Sequence, residues 1–137
     1  MRACFTLCVA LACVLAAGPA LAHHPASVLG SVEITRPVMA GGQMVQPGTY
    51  EVRLTGEHKE PLPGQSEDAL QEFELVAAGT VAARDYAEVM TDDAARPVGT
   101  SGGAGAAPRV QLLRGGEFLR ISAYQGGERY LIHLALR

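Results

Sequence analysis

Glycine turns divide most of this 137-residue chain into short apolar runs, and this feature limits its possible folds more than any other. The turns fall at Gly41-Gly42, Pro47-Gly48, Gly79, Gly115-Gly116 and Gly126-Gly127. Paired glycines supply the positive φ angles that tight β-hairpins need. The runs between them have the length of strands and leave no room for a long helix. We therefore expect an all-β protein.

The clearest strand pattern lies at the C-terminal end, where apolar residues alternate along the chain. One face of this strand carries Tyr130, Ile132, Leu134 and Leu136. The other face carries Arg129, Leu131, His133 and Ala135. A strand that is apolar on one face and partly apolar on the other is typical of the middle of a sheet. We predict that this strand is central.

Further strands are expected at 27–35, on both sides of Gly41-Gly42, and at 49–54, where Tyr50, Val52 and Leu54 share one face. The segment 70–90 allows two interpretations. Phe73 and Leu75 alternate with glutamates, as in a strand, whereas Ser66 is suited to cap a short helix. The cleaner alternation and the turn at Gly79 favour strands.

Seven to nine short strands without a long helix indicate an antiparallel β-sandwich, in which two sheets pack face to face. A small barrel is the alternative. The polar segment 57–68 is predicted to be a loop. The segment 91–108, rich in Ala, Gly, Ser and Pro, is predicted to be a flexible loop within one domain that spans residues 23–137.

The first 22 residues have the three parts of a secretory signal peptide. Arg2 is followed by an apolar run over residues 3–17, and then by the small-x-small sequence Ala20-Leu21-Ala22. We expect residues 1–22 to be removed and the protein to be periplasmic or secreted, with no transmembrane segment left. The three cysteines all lie in the removed part, so no disulfide or thiolate metal site is expected.

Removal of the signal peptide would leave His23 and His24 at the start of the mature chain. An N-terminal histidine offers its amine and its ring to Cu(II), and other imidazoles can complete such a site. The remaining histidines are His58, in a charged segment, and His133, within the last strand. All four are candidate copper ligands. The alternatives are a solvated N-terminus, a solvated loop at His58 and a hydrogen-bonded imidazole at His133.

Other motifs give weaker indications of chemistry. The sequence GTSGG at 99–103 has the form G-x-S-x-G, but Ser101 lies in a Gly/Ala stretch and not at a strand-to-helix turn. Acidic residues crowd the segment 57–68 without the spacing of a calcium loop. The net charge of the chain is −3, with no basic cluster of the kind that binds nucleic acid. We expect no enzymatic activity and no nucleic-acid partner.

The stretch MVQPGTYEVRLTGEH at 44–58 resembles the PAGTYxVxW strand of many small secreted bacterial β-sandwich proteins. Among them are the CopC-type periplasmic copper proteins, whose mature chains also begin with histidine. This resemblance implies a β-sandwich fold and a copper-ligand role for His23. The chain as a whole is similar to uncharacterised secreted bacterial proteins with a PGTYEV-type strand.

Two functions follow as hypotheses. The first is an exported, non-enzymatic binding or accessory module that acts on another exported or envelope protein. It needs no cofactor, and its loops are the expected contact surface. The second is a periplasmic copper-binding protein that uses His23, supported by His24, His58 or His133.

Overall fold

A computed structural model of the chain describes residues 26–91 and 107–137, apart from the side chains of residues 91 and 114. These residues form nine strands, all paired antiparallel. The strands are β1 Ser27–Ile34, β2 Val38–Ala40, β3 Gln43–Val45, β4 Gly48–His58, β5 Leu70–Ala77, β6 Thr80–Thr91, β7 Arg109–Leu113, β8 Phe118–Gln125 and β9 Glu128–Leu136. A single 3-10 turn, Arg114–Gly116, joins β7 to β8. The all-β prediction is confirmed.

The nine strands form one continuous sheet that folds back on itself. Its main path runs β1-β4-β5-β6-β9-β8-β7, and the β2–β3 hairpin pairs with the far end of β9. Strand β6 joins the two halves, because it pairs with β5 as far as Glu88 and with β9 from Glu88 onward. At the other end of the path, Ser27 of β1 donates a hydrogen bond to Gln125 of β8. The result is a sandwich-like fold around one core.

Apolar side chains from both halves of the sheet meet in this core. Strands β1 to β6, β8 and β9 all contribute to it. The largest fully buried side chains of the described residues are Phe73, Ile34, Leu75, Ile121, Ile132, Leu134, Val38, Val45 and Val52. Burying a side chain of this size stabilises the fold by roughly 1.5–3 kcal/mol. Tyr50, Val52 and Leu54, which the alternation in the sequence placed on one face of β4, all belong to this core.

The predicted central position of the last strand is confirmed. Strand β9 pairs with β8 along one edge, and with β6 and then β2 along the other. Ile132 and Leu134 point into the core and have no exposed surface. On the opposite face Leu131 is also buried, whereas His133 is exposed.

Two segments that the sequence left open or placed in a loop are strands in the structure, wholly or in part. The segment 70–77 is a strand, and not the short helix that Ser66 was suited to cap. The predicted loop at 57–68 starts later than expected, because β4 continues through His58. Gly56, with φ of 84°, lies in a register shift between Leu54 and His58 that lets pairing with β5 resume. Most of the predicted loop at 91–108 lies outside the described residues.

Candidate anion-binding site

Both arginines on the outer face of β4, β5 and β6 are paired with glutamates. Arg53 forms an ion pair with Glu51 on β4. Arg84 on β6 holds the Glu74 carboxylate of β5, with its Nη2 2.6 Å and its Nε 2.7 Å from Oε1. The side chain of Glu74 is only 12% exposed, so this contact compensates its loss of hydration. Glu72 and Glu88 lie on the same face and form no ion pair with the described residues, so this face carries a net negative charge.

The outer face of β7, β8 and β9 is different. Residues directly opposite in an antiparallel ladder point to the same side of a sheet. Three rows therefore share the side away from the core: Leu113, Phe118 and Ala135; Gln111, Arg120 and His133; Arg109, Ser122 and Leu131. Ser122 and Leu131 are nevertheless buried, so the accessible part of this side lies around the first two rows and Arg109. We call these nine residues the β7–β9 outer face. Two of the three rows carry an arginine, and none of the nine residues is acidic.

Arg120 and His133 are joined across β8 and β9. The Arg120 Nε donates a hydrogen bond of 2.9 Å to Nε2 of His133. That nitrogen can accept only when it carries no proton, so the imidazole is neutral in this arrangement. The bond orients the planar guanidinium, whose two Nη groups form no hydrogen bond or ion pair with the described residues. No carboxylate in the described part of the chain pairs with Arg120.

A surface depression of about 350 Å³ adjoins this pair. The described residues that line it are Leu113, Phe118, Arg120 and His133. Leu113 and Phe118 form an apolar wall beside the guanidinium and the imidazole. A volume of this order lies at the lower end of the range for small-molecule sites, which are typically apolar with a few well-placed polar groups. The arrangement suits a ligand with one anionic and one apolar part.

The sequence-predicted site residues are not gathered together by the described structure. His133 lies in the depression, whereas His58 ends β4, with its Nδ1 3.6 Å from Oδ1 of Asp68. His23, His24 and Ser101 lie outside the described residues. Within residues 26–91 and 107–137, no group of three or more His, Cys, Asp or Glu side chains is placed to hold a metal ion. The copper hypothesis stays a prediction that depends on the N-terminal histidines.

Sequence reasoning missed Arg120, Phe118 and Leu113 as site residues. The signal was present in the hairpin around Gly115-Gly116. Folding RVQLL back onto FLRIS with Leu113 opposite Phe118 puts Arg120 beside the apolar pair, on the side away from the core. His133 joins them only through the register of β9, which the second glycine turn sets.

Two further contacts anchor β9 without belonging to the depression. The Tyr130 hydroxyl donates to Oε2 of Glu128 at 2.8 Å. Burial, together with the hydrogen bond and the negative charge of Glu128, raises the pKa of Tyr130 well above its ordinary value. The guanidinium carbon of Arg129 lies 4.6 Å from the centre of the Tyr124 ring, a stacking distance for a cation over an aromatic face. These contacts fix the start of the strand that carries His133.

The chain was compared with protein-family models, curated proteins and solved structures, and none of them matched. The likeness of the segment 44–58 to secreted bacterial β-sandwich proteins, including the CopC type, therefore stays a prediction. No helix among the described residues is long and apolar enough to cross a membrane.

Proposed function

We propose that this protein is an exported, non-enzymatic binding module that holds an anionic partner against the β7–β9 outer face. One observation carries the proposal. Arg120 presents two Nη groups beside an apolar wall, and no carboxylate of the described residues neutralises it. Arginine is the residue that proteins use most effectively to hold planar anions, because its N–H groups form a rigid fork.

The contrast between the two outer faces supports this choice of surface. On β4, β5 and β6 the arginines are paired with glutamates of the same face. On β7, β8 and β9, Arg120, the arginine that lines the depression, has no such partner among the described residues. An anionic group from another molecule would supply the missing counter-charge, and the wall of the depression would shield that contact from water.

The hydrogen bond that His133 accepts from Arg120 supports a role in binding and not in catalysis. A general base needs a lone pair that is directed at a proton of the substrate. The Nε2 lone pair of His133 is instead used by the Nε–H of Arg120. In this arrangement the imidazole positions the guanidinium and does not abstract a proton. The predicted signal peptide supports the exported part of the proposal.

A photo-crosslinking experiment tests the surface. A photo-reactive amino acid replaces Gln111, which is exposed and directly opposite Arg120, in the protein produced with its own signal sequence. The matched control carries it at Val81, which is 40% exposed on β6. We expect a discrete adduct from position 111 only.

The charge of Arg120 provides the decisive comparison. The Arg120→Glu change should remove the adduct, whereas Arg109→Glu, with the same change in charge on the same face, should leave it largely intact. An adduct that forms equally at both positions, or that survives Arg120→Glu, would contradict the proposal.

A further inference from the structure

We infer that the group bound at this site is a carboxylate that carries an apolar substituent. The inference deepens the proposed function and rests on it. Its first support is the geometry of Arg120. With Nε held by His133, the guanidinium presents its two Nη groups as a pair. Two parallel N–H donors match the two oxygens of a carboxylate in a bidentate contact.

The amount of positive charge favours a carboxylate over a phosphate. Among the described side chains that line the depression there is one guanidinium, and the imidazole is neutral while it accepts from Arg120. A carboxylate carries one negative charge, which this arginine balances. A phosphate group near neutral pH carries closer to two charges, and its stronger hydration calls for more donors than one arginine supplies.

The apolar part of the ligand is indicated by the wall of the depression. Leu113 and Phe118 are half-buried and lie directly opposite each other on β7 and β8. Burying an apolar substituent against them removes hydrocarbon surface from water and adds affinity that a bare anion would not gain. A small ion such as acetate is therefore expected to bind weakly.

Two sources supply this chemistry. One is the free C-terminus of a polypeptide that ends in an apolar residue. The other is a small carboxylic acid with a hydrocarbon chain. Both place a carboxylate on Arg120 and an apolar group on Phe118, and they differ in whether amide groups next to the carboxylate add affinity.

The experiment measures the affinity of the exported protein for four probes by calorimetry. The probes are N-acetyl-glycyl-leucine, the same dipeptide with a C-terminal amide, octanoate and inorganic phosphate. We expect the free-acid dipeptide and octanoate to bind, and the amide and phosphate to bind at least about tenfold more weakly, a difference of about 1.4 kcal/mol. The stronger of the two binding probes identifies the source.

The variants Arg120→Gln and Arg109→Gln change the charge of the same face equally. Arg120→Gln should weaken the carboxylate probes by about tenfold or more, and Arg109→Gln should change them by much less. Equal binding of the acid and the amide, or phosphate binding as tight as octanoate, would overturn the carboxylate inference. The absence of binding by both carboxylate probes would also overturn it.

Failure of this inference is distinguishable from failure of the proposed function. If an Arg120-dependent adduct forms at position 111 but no carboxylate probe binds, the proposed binding surface is supported and the carboxylate inference is wrong. If position 111 gives no adduct while carboxylates bind tightly and depend on Arg120, the site is retained and its ligand is a small molecule.

Discussion

At the scale of single residues, the hydrogen bond between Arg120 and His133 determines how the site presents its charge. His133 is an exposed positioning residue that holds Nε of Arg120 at 2.9 Å. His133→Ala removes this acceptor and gives the guanidinium more rotamers to lose on binding. We expect carboxylate affinity to fall by a few-fold, on the order of 0.5–1.5 kcal/mol, with little change in the free energy of unfolding.

The matched variant is His133→Gln, whose amide oxygen can accept the same hydrogen bond. It should restore most of the affinity in the same calorimetric assay. If Ala and Gln bind equally well, the positioning role of His133 is wrong.

A second prediction concerns Tyr130 and alkaline pH. Its pKa in the folded protein is raised above the ordinary value of 10.0, mainly by burial. Above about pH 10 the unfolded chain loses this proton while the folded chain keeps it, so stability falls as the pH rises. Below that pH the protonated hydroxyl and its hydrogen bond to Glu128 contribute fully to the free energy of unfolding. Tyr130→Phe removes both effects.

Urea unfolding checks this sign. Near pH 8 we expect Tyr130→Phe to be less stable than the wild type by about 1 kcal/mol, the usual net value of one hydrogen bond. Near pH 11 the difference should shrink or reverse, because only the wild type loses stability through this group. A difference that grows with pH would show that the hydroxyl ionises readily in the folded state.

At the scale of strands and turns, the two glycines between β2 and β3 differ in why each position requires glycine. Both need a positive φ, but only one of them lacks room for a Cβ atom. Gly41 and Gly42 both have positive φ, at 53° and 81°. A Cβ at Gly41 would lie 1.9 Å from the carbonyl oxygen of Arg84, whereas one at Gly42 would meet nothing within 4 Å. Gly42→Ala should cost only the left-handed strain of about 1–2 kcal/mol.

Gly41→Ala should cost clearly more than Gly42→Ala, because the β2–β3 hairpin has to move away from β6. The shift would also weaken the hydrogen bond from the Gly41 N–H to Asp85. Chemical denaturation of both variants measures the difference. Equal losses would mean that the hairpin is not held against β6 as the structure describes.

Much of the strand arrangement follows from short-range patterns in the sequence. Alternating side chains and paired glycines predict β7, β8 and β9 and the central place of β9, because hairpins involve only neighbouring residues. The extension of β4 past Gly56 was missed, because a bulge there restores pairing after a polar residue. The depression was missed for another reason. It requires three strands in register, and only then do Arg120 and His133 lie beside Phe118.

At the scale of the whole molecule, we expect one outer face to contribute to stability and the other to binding. The carboxylate of Glu74 is nearly buried, and Arg84 supplies its ion pair. Arg84→Gln therefore leaves this desolvated carboxylate without the arginine's charge. We expect a loss of about 1–3 kcal/mol in the free energy of unfolding. Arg120→Gln removes the same charge from the opposite face and should leave stability nearly unchanged.

Thermal melts of these two variants, measured with and without octanoate, test the division. Octanoate should stabilise Arg84→Gln against heating and should not stabilise Arg120→Gln, because a ligand stabilises only the folded state that binds it. If octanoate protects both variants equally, Arg120 does not hold the ligand.

The most direct test of binding at the β7–β9 outer face is an amide chemical-shift map of the isotope-labelled protein, titrated with N-acetyl-glycyl-leucine. Shifts confined to β7, β8 and β9, centred on Phe118, Arg120 and His133 and absent in Arg120→Gln, are the predicted result. Shifts centred on the paired charges of β4, β5 and β6, or a pattern that Arg120→Gln leaves unchanged, would contradict it.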